Sequence, residues 1–319
     1  MNQIPISNFA KWKNLLFVPG IILLLGFIWG SSFILMKRGL LGFPSDQIAA
    51  MRLSFAFLAI LPFHYIYRKH YRNIPWRFIL IVGFAGNGIP AFLFAFAQTG
   101  IPSATAGILN SLTPVFTLTI GALVFAQPFH KINAVGVLLG LIGAISLIAL
   151  RTNGEIEFNL TYGGWIILAT VLYAISVNTL RYKLSHISPI PIACLALSSV
   201  GVPALFYIIG FTDFMDRVGR PEAQHALMFV LTLAIIGTAF SLFLFNKLVQ
   251  IAGALPASTV TYLIPVFALG WGILDGEEIG WIHAVGIAII LTGIWLVNFK
   301  PQRLAKSQSS DKPIYEEVA

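Results

Sequence analysis

The sequence predicts an all-α integral membrane protein, with ten transmembrane helices arranged as two inverted five-helix repeats. Three observations carry this expectation. The chain of 319 residues is 57% hydrophobic and only 10% charged, with a mean hydropathy of +0.85; a soluble domain carries about 25% charged residues. Its apolar residues gather into ten runs of spanning length. Finally, Pro114-Val115-Phe116 returns as Pro265-Val266-Phe267 after 151 residues, a repeat of half the chain rather than of a short solenoid unit.

The runs occupy 15–36, 47–67, 77–98, 103–126, 132–150, 162–180, 190–211, 226–249, 254–274 and 281–299. Each is long enough to cross about 30 Å of hydrocarbon at about 1.5 Å per residue. Helices are required, because an isolated strand leaves backbone groups unpaired in lipid. The segment before the first run is short and polar, with Lys11 and Lys13. The first run itself is longer than the apolar core of a cleavable signal, so it is read as a span. Gly100-Ile101-Pro102 is a tight break that makes the third and fourth spans antiparallel neighbours. Leu255-Pro256 marks a similar break between the eighth and ninth. In the fifth span Gly136 and Gly140 stand at the GxxxG spacing of close helix packing.

A second shared block follows the first. NAVGVLLGLIGAISLI (133–148) matches HAVGIAIILTGIWLV (283–297) at an offset of 150. The domains expected are therefore 15–150 and 162–299, each a five-helix repeat, followed by a polar tail, 300–319, read as disordered and cytoplasmic. Lys and Arg set the orientation. With the N-terminus inside, fourteen basic residues fall on the cytoplasmic side and five, Lys37, Arg38, Arg151, Arg217 and Arg220, on the other. Both termini are thus cytoplasmic. An odd number of spans per half then forces the second half to enter the bilayer upside down.

The formal charge of +8 is accounted for by these loop residues, and no basic patch reaches the size that nucleic-acid binding needs. One cysteine, Cys194, forms neither an internal disulfide nor a four-ligand metal site. The chain has no HExxH, no GxSxG and no TVGYG. No catalytic residue, metal or cofactor is expected; the expected partners are a small molecule and the lipid bilayer.

Matching proline-broken segments in two halves point to a secondary transporter. Pro114 removes an N–H and frees the carbonyl of Asn110; Pro265 does the same for Thr261. Those carbonyls either face a central site or are satisfied by neighbouring hydroxyls. Polar side chains inside spans are the other candidates for lining a cavity: Trp29, Ser31 and Ser32 with their motif, then Asn87, Gln98, Asn110, Thr113, Tyr173, Asn178, Thr238, Ser241, Thr261 and Tyr262. The rival reading is interhelical hydrogen bonding, worth about 0.6 kcal/mol on average. Arg52 is the deepest charge, either functional or snorkelling to the outer interface. Asp275, Glu277 and Glu278 at the outer end of the ninth span form either an entry point or a solvated loop. No Asp or Glu lies near the centre of any span, which favours a neutral, zwitterionic or partly apolar substrate.

Several of these stretches resemble the EamA-type family of the drug/metabolite transporter superfamily. Trp29-Gly30-Ser31-Ser32-Phe33 is similar to its WGSSF-type opening, and Arg52 falls where those proteins often have an arginine. Thr113-Pro114-Val115-Phe116 and Ile264-Pro265-Val266-Phe267 resemble its repeated Pro-Val-hydrophobic motif. Gly276-Glu277-Glu278-Ile279 resembles its Gly-Glu-x-Leu motif, and the match runs over about 15–299. Two departures stand out: Gln127 occupies the position matching Glu277 in the first half, and the second half offers only Gly163-Gly164-Trp165 against WGSSF. The resemblance implies a ten-helix inner-membrane carrier of small metabolites, often an exporter of amino acids or drugs. A membrane-embedded enzyme and a non-transporting scaffold are the alternatives; the first lacks a reactive constellation, and the second leaves the polar residues of six spans unexplained.

Overall fold

The computed structural model describes residues 6–71, 74–126, 131–149, 160–252, 260–277 and 280–298. The tail 300–319, Gln127 and the Leu255-Pro256 break lie outside the described residues, as does the side chain of Tyr262. Among the described residues every regular element is helical. In chain order the main helices are α1 (Ile6–Gly39), α2 (Ser45–Tyr67), α3 (Trp76–Gly83, π-helical Phe84–Gly88, Ile89–Ala97) and α4 (Ser103–Asn110, Thr113–Phe125). Then follow α5 (Lys131–Ala149), α6 (Leu160–Lys183), α7 (Pro189–Gly210), α8 (Pro221–Ala234, π-helical Ile235–Phe240, Ser241–Ala252), α9 (Val260–Leu274) and α10 (Trp281–Asn298).

Proline sets several of the helix starts. Pro44, Pro75 and Pro102 immediately precede α2, α3 and α4, and Pro189 and Pro221 are the first residues of α7 and α8. At a helix start the missing N–H costs nothing, because those groups have no intrahelical partner in any case.

Seven described helical stretches are long and apolar enough to cross a bilayer: Val18–Gly39, Ser45–Tyr71, Trp76–Ala97, Ser103–Phe125, Thr161–Lys183, Pro189–Gly210 and Ala223–Phe245. α5, α9 and α10 supply shorter apolar stretches, Lys131–Gly143, Leu263–Leu274 and Ala284–Gly293. Their outward residues are large and apolar, including Leu23, Phe27, Leu123, Phe206, Met228 and Ile273. Water would penalise such a surface, whereas hydrocarbon does not.

Inside, α2 packs along α7, α5 along α10, α1 along α8 and α9, and α6 along α3 and α4. The main core joins Met51 of α2, Leu109 of α4, Ile166 of α6, Leu233 of α8 and Ile264 of α9. The closeness of the α5/α10 pair follows from glycine. A Cβ at Gly293 would lie 2.6 Å from the backbone nitrogen of Gly140 and 2.7 Å from the carbonyl oxygen of Gly136. The GxxxG pair therefore packs against α10, backbone to backbone.

Candidate functional site

Both π-helical turns fall at positions related by the repeat. The offset of 151 that joins the two Pro-Val-Phe copies carries Phe84 to Ile235, the first residues of the two turns. In α3 the Ile89 N–H reaches back five residues to the Phe84 carbonyl, and in α8 the Ser241 N–H reaches back five to Ile236. Such turns interrupt the helix ladder by one extra residue and are frequent at functional sites. Each contains a Gly followed by a polar residue, Gly86-Asn87 and Gly237-Thr238. Asn87 Nδ2 donates to the Val82 carbonyl (3.5 Å) and Thr238 Oγ1 to the Leu233 carbonyl (3.1 Å), each five residues back.

Serines from the neighbouring helices meet the two glycines. A Cβ at Gly237 would come within 3.1 Å of Ser32 Oγ, and one at Gly86 would meet Ser176 Oγ. This correspondence corrects the sequence comparison. The stretch answering Trp29-Gly30-Ser31-Ser32-Phe33 is Tyr173-Ala174-Ile175-Ser176-Val177, not Gly163-Gly164-Trp165. Trp29 then corresponds to Tyr173, and their ring partners correspond too. Trp29 packs on Phe245 with centroids 5.2 Å apart, and Tyr173 stacks on Phe94 at 5.9 Å; Phe94 and Phe245 are again 151 residues apart.

Around the α8 turn the predicted residues converge. Trp29 Nε1 donates to Ser241 Oγ (2.9 Å), and the Ser241 hydroxyl donates to the Gly237 carbonyl (2.7 Å). Arg52 Nε donates to Thr238 Oγ1 at 2.8 Å, and Arg52 lies within electrostatic reach of Tyr173. The Arg52 side chain thus points into the helix bundle rather than snorkelling outward.

Other predicted residues tie helices together. Asn178 Nδ2 donates to the Thr117 carbonyl of α4 and to the Ala174 carbonyl of its own helix, both at 2.9 Å. Gln98 Nε2 donates to the Phe33 carbonyl (2.9 Å), and its buried Oε1 has no partner among the described residues. Trp271 Nε1 donates to Ser31 Oγ (2.8 Å), joining α9 to α1.

The prolines sit in different backbone. α4 is broken by a tight turn at Ser111-Leu112, with Ser111 N–H on the Ile108 carbonyl (3.0 Å) and Leu112 N–H on that of Leu109 (3.1 Å). Pro114 opens the helical piece that follows, whereas Pro265 lies inside the continuous α9. The Asn110 carbonyl is not a free dipole, because Thr113 Oγ1 donates to it at 2.8 Å. Here the neighbouring hydroxyl satisfies what the proline released. The Asn110 side chain keeps a buried Oδ1 that has no partner among the described residues.

Of the acidic cluster after α9, Asp275 and Glu277 are buried rather than solvated, and Glu278 lies outside the described residues. Glu277 Oε1 accepts from Lys37 Nζ (2.8 Å), Ser103 N–H (2.9 Å) and Ser103 Oγ (2.7 Å), and Oε2 accepts the Ala104 N–H (3.0 Å). Lys37 also bridges Asp275 (2.6 Å), and Arg38 pairs with Asp275. The two carboxylates are only 8% and 5% exposed at Asp275 and Glu277 respectively. Burial pushes the Glu277 carboxyl up, but hydrogen bonds from Lys37, Ser103 and Ala104 outweigh it and hold the group below its ordinary range. Asp275 is likewise raised by burial and lowered further by Lys37 and Arg38, with the same net direction. A carboxylate that accepts the first N–H groups of a helix offsets its unpaired donors and its dipole. The turn that aims it needs Gly276, at φ +76°.

The apolar helix set and this buried polar interior define a polytopic membrane protein. The model of the EamA-like transporter family matches 16–149 and 161–299, and the chain belongs to that family. It is a membrane transporter, not an enzyme. It is 23% identical over 295 residues to a probable amino-acid metabolite efflux pump of Salmonella typhimurium, covering 89% of this chain and 96% of that one. It is 24% identical over 298 residues to the inner membrane transporter YedA of Escherichia coli, covering 90% and 92%. It is also 22% identical to the transporter YdfC of Bacillus subtilis, covering 88% and 90%. A solved crystal structure superposes with a TM-score of 0.63 at 16% identity, covering 90% of this chain and 98% of the other. That likeness is one of fold.

Proposed function

We propose that this chain is a secondary transporter of small organic metabolites, amino-acid-like or otherwise neutral or zwitterionic, exporting them across the inner membrane by alternating access. Two inverted halves, 15–150 and 162–299, each of five spans, rock about a site near the midplane, with both termini cytoplasmic. The pairing of helices supports this symmetry. α1 on α9 has its counterpart in α6 on α4, α8 on α1 in α3 on α6, and α2–α7 and α5–α10 are pairs of corresponding helices. The observation that carries the reading is the pair of repeat-related π turns, each set against a serine of the other half and beside an aromatic pair that joins the two halves. Irregular backbone at membrane depth is tolerated where protein buries it or where it lines a cavity, and discontinuous helices at the repeat interface are where such carriers hold substrate.

The test is transport by purified protein in liposomes, using a mixed pool of labelled L-amino acids and neutral metabolites, with and without a pH gradient. At least one compound should move faster than in empty liposomes, and its gradient dependence then separates coupled from facilitated movement. No movement of any pool member, by protein that still melts cooperatively, would overturn the proposal.

A further inference from the structure

The site has one feature that its symmetry does not share. α7, the counterpart of α2, contains no charged residue between Pro189 and Gly210, while α2 carries Arg52. Arg52 follows the first residue of its helix by seven positions, and its Nε is fixed by Thr238 in the π turn of α8 (2.8 Å). Among the described residues it makes no ion pair, and its terminal nitrogens Nη1 and Nη2 make no hydrogen bond. Arg52 is partly exposed rather than fully enclosed. Among the described residues, the carboxylate of α2 and those just after α9 are engaged elsewhere. Asp46, on the same helix as Arg52, accepts the Tyr207 hydroxyl (2.8 Å), and Asp275 and Glu277 are held by Lys37 and Arg38.

We infer that Arg52 binds the carboxylate of the transported compound. A guanidinium held inside the helix bundle without a counterion is costly, and among the described residues no carboxylate pairs with it, so the ligand supplies one. Thr238 occupies the Nε edge, which leaves the Nη1/Nη2 edge for a two-point contact with a planar carboxylate, the geometry that suits arginine better than lysine. The corresponding aromatic pairs, Trp29 on Phe245 and Tyr173 on Phe94, supply apolar surface for the rest of the molecule. The substrate class is therefore a small amphipathic carboxylate, amino acids with apolar side chains included. This inference rests on the transporter reading and narrows it.

The experiment compares acids with their primary amides. Labelled L-phenylalanine and L-leucine serve as probes in proteoliposomes, with L-phenylalanine, L-phenylalaninamide and inorganic phosphate as competitors. In parallel, thermal shift of the detergent-purified protein reads binding of the same compounds and of phenylpropionate without requiring transport. In wild type the acid should compete and stabilise about 10- to 100-fold more effectively than the amide, the range expected for hydrogen bonds to a charged group. Arg52→Gln should abolish that discrimination, and Arg52→Lys should retain the charge but lose about tenfold. If Arg52→Gln does not fold, Arg52→Lys and Thr238→Val, which loosens the Nε edge, carry the test. Equal action of acid and amide on wild type, discrimination kept in Arg52→Gln, or preference for phosphate overturns the inference. Transport of amides alone overturns it while leaving the transporter reading intact. Silence in transport with carboxylate binding that depends on Arg52 overturns that reading instead.

Discussion

Glu277, just beyond the end of α9, accepts both the backbone N–H and the hydroxyl of Ser103 at the start of α4, at 2.9 and 2.7 Å. The second half of the chain thus caps a helix of the first. Lys37 at the end of α1 closes the arrangement on the same carboxylate at 2.8 Å. Glu277→Gln keeps the shape but removes the charge from bonds to Lys37 and to a helix N-terminus. Hydrogen bonds to charged groups contribute about 1.5–3 kcal/mol, so the variant should lose roughly that amount. Thermal melting in detergent reads the change, and a melting point equal to wild type would show the cap to be dispensable.

The same cluster should make the protein sensitive to acid. Asp275 and Glu277 are both held below the ordinary carboxylate range in the folded chain. A depressed folded value means that their stabilisation is fully present above the ordinary range of about 4 and is lost as pH falls through the lower folded values. Melting temperature should therefore be nearly flat from pH 7 to pH 5 as far as these groups are concerned, then drop below about pH 4. Glu277→Gln should drop less steeply over that interval, and parallel curves for the two proteins would refute the assignment.

The helices were legible because hydrocarbon imposes a length and a composition on each one, and hydropathy reads both. The run expected at 77–98 is the stretch Trp76–Ala97. The π turns were not legible, since one extra residue in a helix leaves hydropathy unchanged. Their trace in the sequence is the Gly-polar pair that recurs 151 residues later, Gly86-Asn87 and Gly237-Thr238. Asp275 and Glu277 were visible as candidates, but their burial was not, because the lysine that pairs with Glu277 is 240 residues away. Nor does a carbonyl freed by proline announce its new partner, which at Asn110 is the hydroxyl three residues on.

Contact between α5 and α10 can be tested by a single methyl group. Gly293→Ala places a Cβ against the backbone of Gly136 and Gly140, where nothing flexible yields. Overpacking of this kind costs about 1–3 kcal/mol. Gly270→Ala, on α9, meets nothing within 4 Å and should be neutral or slightly stabilising. Melting of the two variants side by side separates packing from helix propensity, and equal melting points would argue against the close contact.

The last prediction concerns Pro114 and Pro265. They match in sequence, yet only Pro265 lies inside a continuous helix; Pro114 follows a turn at Ser111-Leu112 whose hydrogen bonds do not involve it. The carbonyl that Pro114 frees is already occupied by Thr113. Pro265→Ala alone should therefore slow transport more than Pro114→Ala alone. If the two sites are hinges for the rocking of the halves, the double variant should be slower still, by about tenfold or more, since hinge positions commonly set the rate of opening and closing. Its fold should survive, because alanine suits a helix better than proline does. Initial rates in proteoliposomes, with melting curves as the folding control, decide the matter. Undiminished flux in the double variant would remove both prolines from the mechanism and leave the π turns of α3 and α8 as the flexible points of the bundle.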